Sequence, residues 1–138
     1  MKTNAKRIYS VILILYVAAL ICGTLIFRET TGKNLIQREW FWGYTVDNPR
    51  ILYGDTIVNI LLYIPIGFLL ASLAPKQKVL TAVFAGLLLS ETIECSQLIW
   101  QRGTFDVDDL FNNTVGALVG GLIALLVLRI HKRNAHKE

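Results

Sequence analysis

The sequence predicts an all-α integral membrane protein, a four-helix bundle with both termini cytoplasmic. Three observations carry this. Hydrophobic residues make up 54% of the 138 residues and charged residues 17%, with a mean hydropathy of +0.49, which is too apolar for a domain with a water-covered surface. Four windows, residues 8–27, 56–73, 79–100 and 110–130, have the length and low charge of membrane-spanning helices. The basic residues outside them cluster on one side. Because the windows fill almost the whole chain, residues 1–138 read as a single membrane domain.

Helix 1 follows Lys2, Lys6 and Arg7, an arrangement that a signal peptide shares. Its apolar run is nearer the length of a span, and no small-x-small cleavage site follows, so it reads as a retained helix. Cys22 and Cys95 both fall inside spans, at a spacing that suggests neither metal nor a redox pair. The loop at residues 28–55 carries Trp40, Phe41, Trp42, Tyr44 and Tyr53, which suit either an interfacial belt or a stacking platform for a ring-bearing ligand. Asn48-Pro49 marks a turn before helix 2. Helix 2 contains Pro65 and Gly67, expected either as a packing kink or as a bend that makes room around Asn59.

Orientation follows from charge. Lys2, Lys6 and Arg7, then Lys76 and Lys78, then Arg129, Lys132, Arg133 and Lys137 flank the spans on one side, which the positive-inside rule makes cytoplasmic. Residues 28–55 balance their charges, and the loop after helix 3 sets Arg102 against Asp106, Asp108 and Asp109, so both are expected outside. The net charge of +4 then sits at the cytoplasmic ends, where anchoring beside anionic lipid explains it better than nucleic-acid binding.

Glu91 and Glu94 are the anomaly in helix 3. A charged side chain at the centre of a membrane helix costs about 2.5–3.5 kcal/mol on insertion scales, so an intramembrane acid reads as functional. At 1.5 Å rise per residue, Glu94 lies roughly 9 Å and Glu91 roughly 14 Å below Trp100. Ser90, Glu91, Glu94, Gln97 and Gln101 form a stripe at i, i+3 and i+4 spacing that is expected to face the bundle. On helix 4, Asp109, Asn112 and Asn113 lead into Gly116 and Gly120, whose G-x-x-x-G spacing predicts close packing on helix 2 or 3. Asp106 is a candidate N-cap for helix 4. Asn59, Glu91, Glu94, Gln97, Arg102, Asp106, Asp108, Asp109, Asn112 and Asn113 are thus the candidate ligand-binding residues of one outer cavity.

The only histidines, His131 and His136, lie in the expected cytoplasmic tail, which leaves serine-histidine and cysteine-histidine catalysis without a base on the outer face. Carboxylates and amides remain. They can form a structural hydrogen-bond network, bind a ligand, supply a general acid or base, or hold a divalent cation, Mg²⁺ or Ca²⁺, through hard oxygens. No cofactor is required by these residues. Arg102 can meet a phosphate or carboxylate.

The run Asn59-Ile60-Leu61-Leu62-Tyr63-Ile64-Pro65-Ile66-Gly67, then Ser90-Glu91 with Glu94 and Gln97, then Arg102 with Asp106, Asp108, Asp109, Leu110, Asn112, Asn113, Thr114 and Gly116 resembles the VanZ-like family. The resemblance runs from about residue 53 to 126, and helix 1 and the aromatic loop carry little of it. The family is similar to the accessory protein of glycopeptide-resistance clusters that lowers sensitivity to teicoplanin, and its members occur largely in Gram-positive bacteria. The resemblance implies a role at the cell envelope, with membrane lipids, a lipid-linked cell-wall precursor or a lipoglycopeptide as partner. It supplies no reaction, so a carboxylate- or metal-dependent enzyme acting on a lipid-linked or phospholipid substrate stands as the alternative.

Overall fold

Four helices cross the length of the structure, a computed structural model that describes residues 3–26, 30, 35–37 and 49–135. α1 (Thr3–Ile21) runs into a π-helical turn (Cys22–Ile26), followed by β1 (Leu35–Gln37), α2 (Pro49–Leu73), α3 (Lys78–Ile99), β2 (Thr104–Asp106) and α4 (Val107–Ala135). Each of the four helices is long and apolar enough to span a bilayer. The chain is a multi-pass membrane protein. The trait that made it unlike a soluble domain is visible on its outside, where Leu15, Phe84, Leu88, Ile99 and Leu126 are exposed at positions that lipid would cover.

The helices overrun the hydropathy windows. α2 starts at Pro49 rather than near residue 56, and α4 starts at Val107 and continues to Ala135. Hydropathy marks the part of a helix that lipid covers, whereas the backbone ladder ends where a cap or turn stops it. Proline supplies the start of α2, since its missing N–H is free of an intrahelical partner at that position anyway. Trp40, Phe41, Trp42 and Tyr44 lie outside the described residues, and Tyr53 falls within α2 rather than in a loop.

α2, α3 and α4 pack against one another, with the broadest contact between α2 and α4. Small residues permit it. A Cβ added to Gly120 would lie 2.0 Å from the Ile64 carbonyl oxygen, and one on Gly67 would lie 2.1 Å from that of Ala117. The G-x-x-x-G pair of α4 therefore docks on α2, which resolves the choice that the sequence left between α2 and α3. Leu20, Tyr63, Ile66, Ile93 and Ala117 form the core beside this contact.

α1 rests on α2 and meets α3 through its π-helical end. Tyr16 Oη donates to the Leu62 carbonyl over 3.0 Å. That bond lies next to Pro65, which cannot donate to the Leu61 carbonyl, so a neighbouring helix supplies a donor where the ladder of α2 is weakest. At the other end of α2, Lys78 Nζ donates to the Ala71 carbonyl over 3.3 Å and also to that of Ala74. The ammonium there meets the negative end of the helix dipole. β1 and β2 pair in parallel, with Ile36 opposite Phe105, a short feature over an otherwise all-α architecture.

Candidate functional site

The end of α3 is built to turn the chain sharply. Arg102 N–H donates to the Gln97 carbonyl over 2.9 Å and Gln101 N–H to that of Leu98 over 3.3 Å, while Gln101 has φ 54°. This is a Schellman closure with glutamine in the left-handed position that glycine usually takes. The turn aims Arg102 back at α1. Its Nη1 donates to the carbonyls of Leu25 and Ile26, each at 2.9 Å, so the guanidinium clamps the end of the π-helical turn.

β2 then leads into α4. Asp106 Oδ1 accepts from the Asp108 N–H at 2.8 Å, which is the N-cap expected of it. The Asp106 N–H in turn donates to Glu94 Oε2 at 2.9 Å. Glu94 is 3% exposed, and the backbone of the α3–α4 connection is one of the groups that satisfy it. On α4, Asn113 Nδ2 donates to Ser90 Oγ at 2.9 Å and Asn112 Nδ2 to Thr56 Oγ1 at 3.5 Å. Asn59 Nδ2 donates to Asp109 Oδ1, joining α2 to α4.

A partly open cavity of about 280 Å³ lies among these groups. Its polar wall is Asn59, Tyr63, Glu94, Gln97, Asp109 and Asn113, and its apolar wall includes Leu20, Leu62 and Ile93. Gly23 and Thr24 complete it from the π-helical turn. Behind the wall, Tyr63 Oη and Asn113 Oδ1 have almost no accessible surface and make no hydrogen bond of ordinary geometry, although Ser90 is close enough to bear on the phenol.

Of the ten candidate residues, Asn59, Glu94, Gln97, Asp109 and Asn113 meet in this cavity. Asp106 touches it through Glu94. Asp108 and Asn112 are buried at the head of α4 without lining it, and Arg102 is held at the end of α1. Glu91 requires a correction: it is exposed on the outer surface of α3 and does not share the cavity. The buried positions of α3 are Ala82, Gly86, Ser90, Ile93, Glu94 and Gln97. At about 100° per residue, Glu91 lies roughly 120° from the centre of that arc, so an i+3 step from Glu94 was a step off the face. Among the described residues no three His, Cys, Asp or Glu side chains converge to hold a metal ion. The turn of Asp106 back onto Asp108 and the outward direction of Glu91 explain why.

Sequence reasoning missed Tyr63, Gly23 and Thr24 as cavity residues. Tyr63 was legible, being one helical turn from Asn59 in the same apolar helix. Thr24 was partly so: its Oγ1 donates to the Leu20 carbonyl over 2.8 Å, and Gly-Thr near the end of an apolar run is a signal of irregular helix.

The VanZ/LLP1 family model matches residues 11–128, from α1 through the cavity wall to most of α4. The chain belongs to the VanZ/LLP1 family. No curated protein and no solved structure matches it. The VanZ/LLP1 match takes in α1, which the polar motifs alone did not reach, and α1 is the helix that supplies Leu20 and, through its π-helical end, Gly23 and Thr24 to the cavity.

Proposed function

We propose that this VanZ-type membrane protein holds the head group of a lipid-linked envelope ligand in the cavity, at the extracytoplasmic end of the bundle. Altered susceptibility to teicoplanin-type glycopeptides is then a consequence of that binding. The observation that carries the reading is a polar cavity inside an apolar shell, with Glu94 and Gln97 each 3% exposed. A buried carboxylate and amide in a span are expensive unless they are paired or used.

The volume narrows the ligand. At about 280 Å³ the cavity stands at the lower edge of the roughly 300–1,000 Å³ typical of small-molecule sites. It suits one head group, and a whole glycopeptide would remain outside it. Binding is favoured over catalysis because both cavity carboxylates already hold neighbouring elements in place: Glu94 the backbone of Asp106 and Asp109 the amide of Asn59. Ser90, the buried hydroxyl of α3, accepts from Asn113 and has no histidine beside it.

The test is expression of wild type and Glu94→Gln in a susceptible Gram-positive host, comparing teicoplanin with vancomycin. Wild type is expected to lower sensitivity to teicoplanin selectively and the variant to lose that effect. Equal sensitivity to both drugs in all strains, with membrane insertion confirmed, removes the glycopeptide role. Lipids that stay bound through purification give the second readout. If wild type and Asn113→Leu retain the same lipids in the same amounts, the cavity is not the binding site.

A further inference from the structure

We infer that the outward face of α3 pairs with the same face of a second copy of this chain, in parallel, with Glu91 at the centre of the seam. The inference stands apart from the cavity and its ligand.

Lipid alone does not account for this face. Over residues 11–21 of α1, 56–73 of α2 and 110–128 of α4 every exposed side chain is apolar, whereas α3 exposes Thr81, Glu91 and Thr92. An ionisable side chain within a span almost always faces the bundle interior, a water-filled cavity or a partner. Glu91 has none of these in one copy. It lies roughly 14 Å below Trp100, too deep for a glutamate side chain to reach water, and among the described residues nothing hydrogen-bonds to its carboxyl or pairs with it. Its partner has to come from another helix.

The pattern of the face fits a second copy. Thr81, Phe84, Leu88, Glu91 and Cys95 recur at steps of three and four residues, the spacing of a helix–helix seam, and Ile99 continues it. Cys95 is half-buried and the others are exposed. Copies of one chain enter the bilayer in one orientation, so a two-fold axis along the membrane normal sets α3 beside α3 in parallel, each seam residue next to its counterpart. Glu91 then meets Glu91. A carboxyl group that carries its proton both donates and accepts, so a facing pair satisfies itself at a single depth. Thr92 adds an acceptor beside it, because its Oγ1 spends its proton on the Leu88 carbonyl over 2.7 Å and keeps its lone pairs. One polar position in an otherwise apolar seam fixes register, and polar side chains hold helices together in lipid. Phe84, Leu88 and Ile99, which lipid covers in a lone copy, supply the van der Waals contact.

The experiment uses the full chain in liposomes. In a Cys22→Ser background Cys95 is the only thiol, and mild oxidation is expected to join two copies, since counterpart positions in a parallel seam come within disulfide reach. Leu15→Cys, an exposed position on α1, in a chain lacking both native cysteines reports random collision and is expected to stay unlinked. Energy transfer between labelled copies, followed as added lipid dilutes them, gives the association constant. It is expected to fall about eight-fold in Glu91→Leu, the worth of two average hydrogen bonds between membrane helices. In Glu91→Gln, whose amide also donates and accepts, it is expected to change by less than about two-fold. Absence of the Cys95 link, or equal linking through Leu15→Cys, overturns the seam, and neither result depends on how a Glu91 variant folds. An unmoved association constant in Glu91→Leu of unchanged melting temperature overturns the role of Glu91. A loss in Glu91→Gln as large as in Glu91→Leu overturns carboxyl pairing, because that sensitivity belongs to an ionised Glu91 facing a cation.

Discussion

Glu94 Oε2 accepts a hydrogen bond from the backbone N–H of Asp106 at 2.9 Å. A carboxylate deep in α3 thereby fixes the connection that starts α4, and α4 carries Asp109 and Asn113 to the same cavity. Site and fold share this bond.

Glu94→Ala removes that acceptor and leaves a partly buried backbone donor without it. It is expected to destabilise the protein by about 1–3 kcal/mol, whereas Glu94→Gln keeps an acceptor oxygen and loses less. Melting in detergent distinguishes the two. Equal melting of Glu94→Ala and wild type would show that the bond contributes nothing.

Asn59 and Asp109 are expected to be coupled. A double-mutant cycle with Asn59→Ala and Asp109→Ala should return an interaction of about 0.6 kcal/mol, the average for polar contacts between membrane helices, and at most about 1.7 kcal/mol. Strict additivity would contradict the α2–α4 bond.

Gly120→Ala places a methyl group 2.0 Å from the Ile64 carbonyl oxygen. Backbone cannot yield as a side-chain tip can, so the variant is expected to lose about 1–3 kcal/mol or more. Gly23→Ala, with open space around it, is expected to melt within about 0.5 kcal/mol of wild type. A reversed order in a thermal-shift assay would mean that α2 and α4 do not pack as described.

Glu91 is predicted to be dispensable for the cavity. Glu91→Leu should retain bound lipid as wild type does and should insert better, since it removes an acid worth about 2.5–3.5 kcal/mol at a helix centre. Glu94→Leu should lose the lipid. Loss of lipid in Glu91→Leu as well would restore Glu91 to the site.

The orientation of the bundle is tested with single cysteines in a background lacking Cys22 and Cys95. A membrane-impermeant maleimide is expected to label Thr104→Cys in intact cells and to leave Gln77→Cys unlabelled, as the distribution of basic residues requires. Labelling of position 77 from outside would invert the topology.

The sequence by itself determined the helices, because an apolar run of span length has one low-energy conformation in lipid, with every backbone group bonded internally. It also determined that α4 would approach a neighbour closely, since Gly116 and Gly120 leave a groove at one helical spacing. The N-cap at Asp106 was legible for the same local reason. Tertiary structure decided which neighbour α4 chose, and which polar residues of α3 turn inward. Glu91 and Glu94 are indistinguishable in type and sit one turn apart, and only the arc of contact with α2 and α4 puts one in the cavity and the other outside. Arg102 was legible as a cation near the membrane surface, but its engagement with the Leu25 and Ile26 carbonyls spans more than seventy residues of chain. Local pattern constrains neighbours within a few turns, and a contact of that separation exists only once the helices have packed.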